Sequence, residues 1–305
     1  MGENIPIRHH YIPQFILRSF CNETGILNVY NPTTKEISYK KPENVFMVRN
    51  LYRDEINNPN NPVKIEKDFA IYESEIALTI NKFLTTDIIT LTVEEEESLR
   101  LFLAIMGFRS GRTGNLFGHN ESEEFRDYYG VYQENGDLSD FWKRNLSYLV
   151  NCRSILDVIK HESIDEPIKK FMIRDTMGST CNGMYIMIVE RRGKEDFLIS
   201  DCYPLVIEGH NEDGTIRLEL YKVYPISPKR AIMLVANGVE QARLAASGFQ
   251  KDFFREPKVS RDRKSLTIKV IKLYELDVKR FNQIAFENAA EGIVFQNIDL
   301  LEKYK

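Results

Sequence analysis

Near the N-terminus, one run of twelve residues holds the densest chemistry in the chain: His9-His10-Tyr11-Ile12-Pro13-Gln14-Phe15-Ile16-Leu17-Arg18-Ser19-Phe20. A histidine can carry a proton or ligate a metal near neutral pH. Pro13 disfavours helical backbone at Ile12, so His9 to Ile12 is expected to be extended or turn-like. Proline is well tolerated in a first helical turn, and the run predicts a short helix from Pro13 with Phe15 or Ile16, Leu17 and Phe20 inward. The histidines would then precede a helix N-terminus, where free N–H groups and the dipole favour phosphate. Arg18, one turn from Gln14, adds a forked donor. The structural alternative is a His-Tyr strand end tucked against the core with one histidine exposed. Adjacent residues of an extended segment point opposite ways, so the sequence does not choose between His9 and His10.

Three further polar residues stand where elements end or turn inward. Glu73 borders the apolar stripe Phe69, Tyr72, Ile76, Ile80 and Phe83, which predicts a helix over 68–84. Arg109 and Arg112 end a second predicted helix, apolar on most sides through Leu99, Phe102, Leu103 and Met106. There a cation is stabilised by the dipole, or Arg109 projects into a site and holds a carboxylate or phosphate. Thr92-Val93-Glu94-Glu95 opens that helix as a capping box, so the acidic run Glu94 to Glu97 needs no ligand. Asp201 follows a predicted strand in a loop held by Pro204; it is either a functional side chain or a turn aspartate bonded to nearby backbone.

Before the first long helix, Ile26 to Tyr30 and Glu36 to Tyr39 read as a hairpin, and Val45 to Tyr52 as another extended piece. Beyond the second, helices are expected over 121–132 and 138–161, then from 168 to about 177 after Ser163, Glu166 and Pro167. Past a turn-rich junction at 178–183 the period changes to two. Strands are expected over 184–190, 196–200, 205–208, 216–223 and 230–236, with antiparallel hairpins at Arg192-Gly193 and Asp213-Gly214. A short helix at 239–247, a strand or helix start at 266–271, a closing helix at 276–290 and an edge strand at 293–296 complete the chain. The fold class is therefore α+β: an N-terminal β-hairpin, a central helical bundle, and C-terminal antiparallel strands with a closing helix.

Composition narrows the function classes. The chain has 305 residues, 43% hydrophobic and 28% charged, with a formal net charge of -4, so no global charge favours nucleic acid. The segment from Arg255 to Lys272 is locally basic and follows Phe253 and Phe254. Cys21, Cys152, Cys181 and Cys202 are scattered without a CxxC pair, against a zinc ribbon or disulfide scaffold and consistent with a reducing compartment. There is no signal-peptide run and no membrane span, so a soluble, cytoplasmic protein is expected. Walker A, GxGxxG, HExxH and GxSxG patterns are absent.

The N-terminal run resembles the opening His-His-Tyr-Val-Pro-Gln-Phe-Tyr-Leu-Arg-x-Phe signature of the prokaryotic domain-of-unknown-function family numbered 4238. Gly25 to Tyr30, Pro42-Glu43-Asn44-Val45 with Tyr52, Ile71-Tyr72-Glu73, Phe108-Arg109, Ile199 to Pro204, Tyr224 to Pro228, and Asn282 with Ala289 are similar to later family segments. Members often follow the arginine with Thr-Pro, whereas Ser110-Gly111 stands here. The resemblance implies one family-wide domain over 1–305, with sub-regions 1–66 (histidine motif and hairpin), 67–180 (helical) and 181–305 (strand-rich). It also implies that His9, His10, Glu73, Arg109 and Asp201 converge. Such a set suits a nuclease-like phosphodiesterase, a toxin or antiphage effector. His9 and His10 with Glu73 and Asp201 would be catalytic, Arg109, Arg18 and Gln14 would bind substrate, and Glu73 and Asp201 would hold a divalent metal such as Mg or Mn. The alternative is a non-catalytic sensor or partner-binding protein whose signature residues form a structural polar network. A nucleotide-modifying transferase is a third reading. Nucleic acid, or a protein of a defence or toxin system, is the expected partner.

Overall fold

The computed structural model describes residues 7–109, 140–180, 184–210, 217–236 and 258–304. The expected helices at 121–132 and 239–247, Asp213-Gly214, Arg112, Cys181, Phe253, Phe254 and Arg255 lie outside them. The chain forms two units, and the fold is α+β with antiparallel sheets.

The first unit comprises 1–13, 46–78 and 94–177. Strand β1 (Arg8–His10) pairs antiparallel with β4 (Met47–Arg49), His9 opposite Val48 and His10 opposite Met47. The extended piece expected over 45–52 is only three residues long, because Phe46 and Asn50 take left-handed backbone (φ 50 and 56) on either side of it. Helix α2 (Lys64–Thr85) begins before the expected residue 68. Helix α3 (Val93–Phe108) is polar in its first turns and buried on nearly all sides from Leu99 onward; even its Glu96 is buried, paired at 2.8 Å with Arg100.

The single helix expected over 138–161 is two: α4 (Phe141–Leu149) and α5 (Ile155–Lys160). Ser154 and Asp157 form a capping box that restarts the chain, and this overrides the continuous apolar pattern. Helix α6 (Glu166–Thr180) follows.

The second unit comprises 14–45, 79–93 and 178–305. It begins with helix α1 (Gln14–Arg18), five residues long, which buries Ile16 and Leu17. Its four-stranded sheet has the order β3-β2-β14-β7, from β2 (Leu27–Tyr30), β3 (Ile37–Lys40), β7 (Ile199–Ser200) and β14 (Ile293–Phe295). The hairpin β2–β3 forms as expected. Strand β14 was expected at an edge; it lies inside, bonded to both β2 and β7, and Ile293, Val294 and Phe295 are all buried to match.

A five-stranded sheet has the order β13-β6-β10-β9-β8. Its strands are β6 (Met184–Arg191), β8 (Leu205–His210), β9 (Arg217–Pro225), β10 (Arg230–Ala236) and β13 (Ile271–Leu273). The Arg192-Gly193 turn makes no hairpin, because β6 pairs with β10 and, in parallel, with β13. Helix α7 (Glu275–Asn288) buries Val278, Phe281 and Ala285 in one core with Met187, Val223 and Met233. A third sheet, β11-β12-β5, contains β5 (Ile88–Thr92), β11 (Val259–Arg261) and β12 (Ser265–Lys269). The residues at 266–271 are thus strand rather than helix. Helix α8 (Ile298–Leu301) ends the described chain.

Candidate functional site

Four of the expected site residues meet inside the first unit: His9, His10, Glu73 and Arg109. Both faces of β1 are covered, so His9 is 0% and His10 4% exposed, and neither is the exposed partner expected of a strand end. His9 Nδ1 accepts the Tyr52 backbone N–H at 2.7 Å, and its ring stacks on Tyr52 at 5.6 Å. An Nδ1 that accepts a hydrogen bond carries no proton, which fixes the ring's orientation. The histidines are therefore held by a strand pair, not by a helix N-terminus.

Arg109 sits in the turn closing α3, its N–H bonded to Ile105 O at 2.8 Å, and its side chain is 1% exposed. Nη1 donates to Glu73 Oε1 at 2.6 Å, Nη2 to the His10 carbonyl, and Nε to the Tyr52 hydroxyl at 3.4 Å. That hydroxyl donates in turn to Arg109 O at 2.8 Å. The guanidinium carbon lies 3.9 Å from the Phe69 ring centroid, a desolvated cation–π contact. Burial alone would lower the Arg109 pKa, but Tyr52 and Glu73 outweigh it and hold the cation firmly charged. Burial likewise pushes the Tyr52 phenol up to about 12, against the pull of Arg109. Trp142 closes this side, its Nε1–H on Phe108 O at 3.0 Å and its ring 5.7 Å from Tyr52.

Helix α2 brings a residue the sequence reading missed. Glu66 lies seven positions before Glu73, two turns along the same face. Its Oε2 is buried without a hydrogen-bond partner. Desolvation, opposed by Arg109 and reinforced by Glu73, pushes its pKa up to about 7. The expected helix start at residue 68 left Glu66 outside the helix; its spacing from Glu73 was the available signal.

The other expected residues belong to the second unit. Asp201 accepts the Ala290 N–H at 3.1 Å and the Gly292 N–H at 3.2 Å, joining the β7 end to the segment before β14. Arg18 Nη2 donates to Gln14 Oε1 at 3.0 Å on the exposed side of α1. Among the described residues no three His, Cys, Asp or Glu side chains are grouped to hold a metal. Of the two candidate metal carboxylates, Glu73 is engaged by Arg109 and Asp201 by backbone N–H groups.

Residues 8–299 match the model of the family described as protein of unknown function DUF4238. The chain belongs to this family. No curated protein and no solved structure matches it. Family membership spans both units, from β1 to α8.

Two outcomes follow. Arg109→Gln leaves Glu73 and the His10 carbonyl without their donors in a buried place, and costs about 3–5 kcal/mol in denaturant melts. Loss below about 1 kcal/mol would contradict the burial described. For Glu66, the folded pKa lies above the ordinary 4.5, so its neutral form favours the fold. Stability is complete below pH 4.5 and falls as pH rises towards 7. The loss is at most about 3 kcal/mol. Glu66→Gln removes that loss: the variant gains on wild type between pH 5 and 8. Parallel pH profiles for the two proteins would contradict it.

Proposed function

We propose that this DUF4238 protein is a non-catalytic sensor or partner-binding protein in which His9, His10, Tyr52, Glu73 and Arg109 form a structural polar network. One observation carries the reading: the Arg109 guanidinium is 1% exposed and donates to Glu73, to the His10 carbonyl and to Tyr52. A guanidinium that neutralises a phosphoryl group must present donors to the substrate, and these donors face protein. Networks of this kind fix one arrangement of the core because any member left unpaired in low dielectric is costly. Cytoplasmic placement in a prokaryote goes with this proposal. No described helix is long and apolar enough to cross a membrane, and Cys21, Cys152 and Cys202 form no disulfide.

A second reading, the nuclease-like phosphodiesterase of a toxin or antiphage system, is favoured by one residue. Glu66, with its pKa near 7 beside Arg109 and Glu73, has the proton affinity of a general acid–base group at neutral pH. In that reading His9, His10 and Glu66 exchange protons with substrate, and Glu73 would hold a divalent metal.

The two are separated by incubating the protein with tRNA, single-stranded RNA and DNA, and plasmid, in Mg²⁺, Mn²⁺ or EDTA. Glu66→Gln, His10→Ala and Asp201→Ala run alongside with thermal melts. The proposal expects no cleavage by any of them, and an early melt for His10→Ala because truncation empties a buried site even though the carbonyl to Arg109 remains. Cleavage by wild type that Glu66→Gln abolishes, at an undiminished melting temperature, would overturn it in favour of the enzyme.

A further inference from the structure

The outer face of the β11-β12-β5 sheet carries chemistry that the histidine–arginine network does not use. The antiparallel registers set Ile88, Lys269 and Lys258 in one cross-strand row and Thr90, Thr267 and Ser260 in the next. The Lys269 N–H bonds to Lys258 O at 2.9 Å, so the two lysines stand directly opposite each other. Like charges at that position repel, and neither ammonium has an ion-pair partner among the described residues. At the hairpin tip Arg263 and Lys264 add two more exposed cations. The tip's aspartate, Asp262, is turned into the tip, its carboxylate accepting the Lys264 and Ser265 N–H groups at 2.7 Å and the Ser265 hydroxyl at 3.2 Å.

Four cations with no carboxylate ion-paired to them among the described residues, beside a row of hydroxyls, form an anion-complementary surface within a chain of net charge -4. Lysine and arginine with serine and threonine are the side chains that contact phosphate and sugar without reading sequence. We propose that this face binds the phosphodiester backbone of a nucleic acid. No aromatic side chain stands in its two rows for base stacking, so binding is expected to be weak, sequence-independent and dominated by salt. The inference is independent of whether the chain cleaves anything.

Fluorescence anisotropy on the full chain tests it, with labelled single-stranded RNA, single-stranded DNA and duplex DNA, and with phosphatidylserine vesicles as a parallel arm. Binding should weaken steeply between about 50 and 200 mM salt. Lys258→Gln/Lys269→Gln removes two contacts, so on single strands the slope of log affinity against log salt should flatten by about 1.4. Affinity at the lowest salt should fall at least severalfold. Arg263→Gln/Lys264→Gln, at an exposed turn, should do the same independently. Relative affinities for RNA and DNA identify the natural backbone. No binding at about 50 mM salt, binding to vesicles alone, or unchanged slopes in both folded double variants would overturn the proposal.

Discussion

A buried arginine imposes the strictest demand in the first unit. A guanidinium removed from water needs both its charge and its five N–H groups answered, and an unanswered one costs several kcal/mol. At Arg109 three of the five are answered from three separated stretches, the His10 carbonyl of β1, the Tyr52 hydroxyl after β4 and the Glu73 carboxylate of α2, and Met106 Sδ lies 4.0 Å from Nη1. Phe69 supplies a π face one turn before Glu73. Because no single stretch satisfies Arg109, α3, α2 and the β1–β4 pair reach their positions together.

This demand explains why both histidines are inside. His10 lends its carbonyl to Arg109, while His9 receives the Tyr52 N–H and stacks on the Tyr52 ring. The left-handed backbone at Phe46 and Asn50 brackets β4, so the chain can turn back and bring Tyr52 under His9. Glu66 is the part that does not fit a purely structural role: a carboxylate oxygen buried without a partner is a liability unless it is protonated. Its raised pKa gives that protonation near neutral pH, and makes Glu66 the member of the cluster whose state depends on conditions.

How much of this the sequence disclosed depended on whether the signal was local. The three- and four-residue spacing of Phe69, Tyr72, Ile76 and Ile80 marked α2, and alternation marked β6, β9 and β10. Boundaries set by capping were harder, as at Ser154, where a side-chain cap interrupts an unbroken apolar pattern. Strand β5 went unseen because Ile88 to Thr92 abuts the start of α3, and its partner β12 lies far along the chain. The interior position of β14 likewise depends on pairing with β2 and β7 from distant segments. Of the candidate site, the types at His9, His10, Glu73 and Arg109 were legible, whereas their burial depends on packing that no local pattern records. Asp201 illustrates the converse: its turn-like reading was visible from Pro204, and its carboxylate does accept backbone N–H groups.

The most direct test of this account is hydrogen exchange at one amide. The Tyr52 N–H donates to His9 Nδ1, outside any helix or sheet ladder, and is buried with its whole residue. If the network is an internal lock, that amide exchanges only when the unit unfolds, with a free energy of opening equal to that of the slowest amides of α3. In His9→Ala the protection should collapse while α3 remains slow. Exchange of the wild-type Tyr52 amide at the rate of an open loop would contradict the account, because it would mean that the histidine strand leaves the core while the rest stays folded.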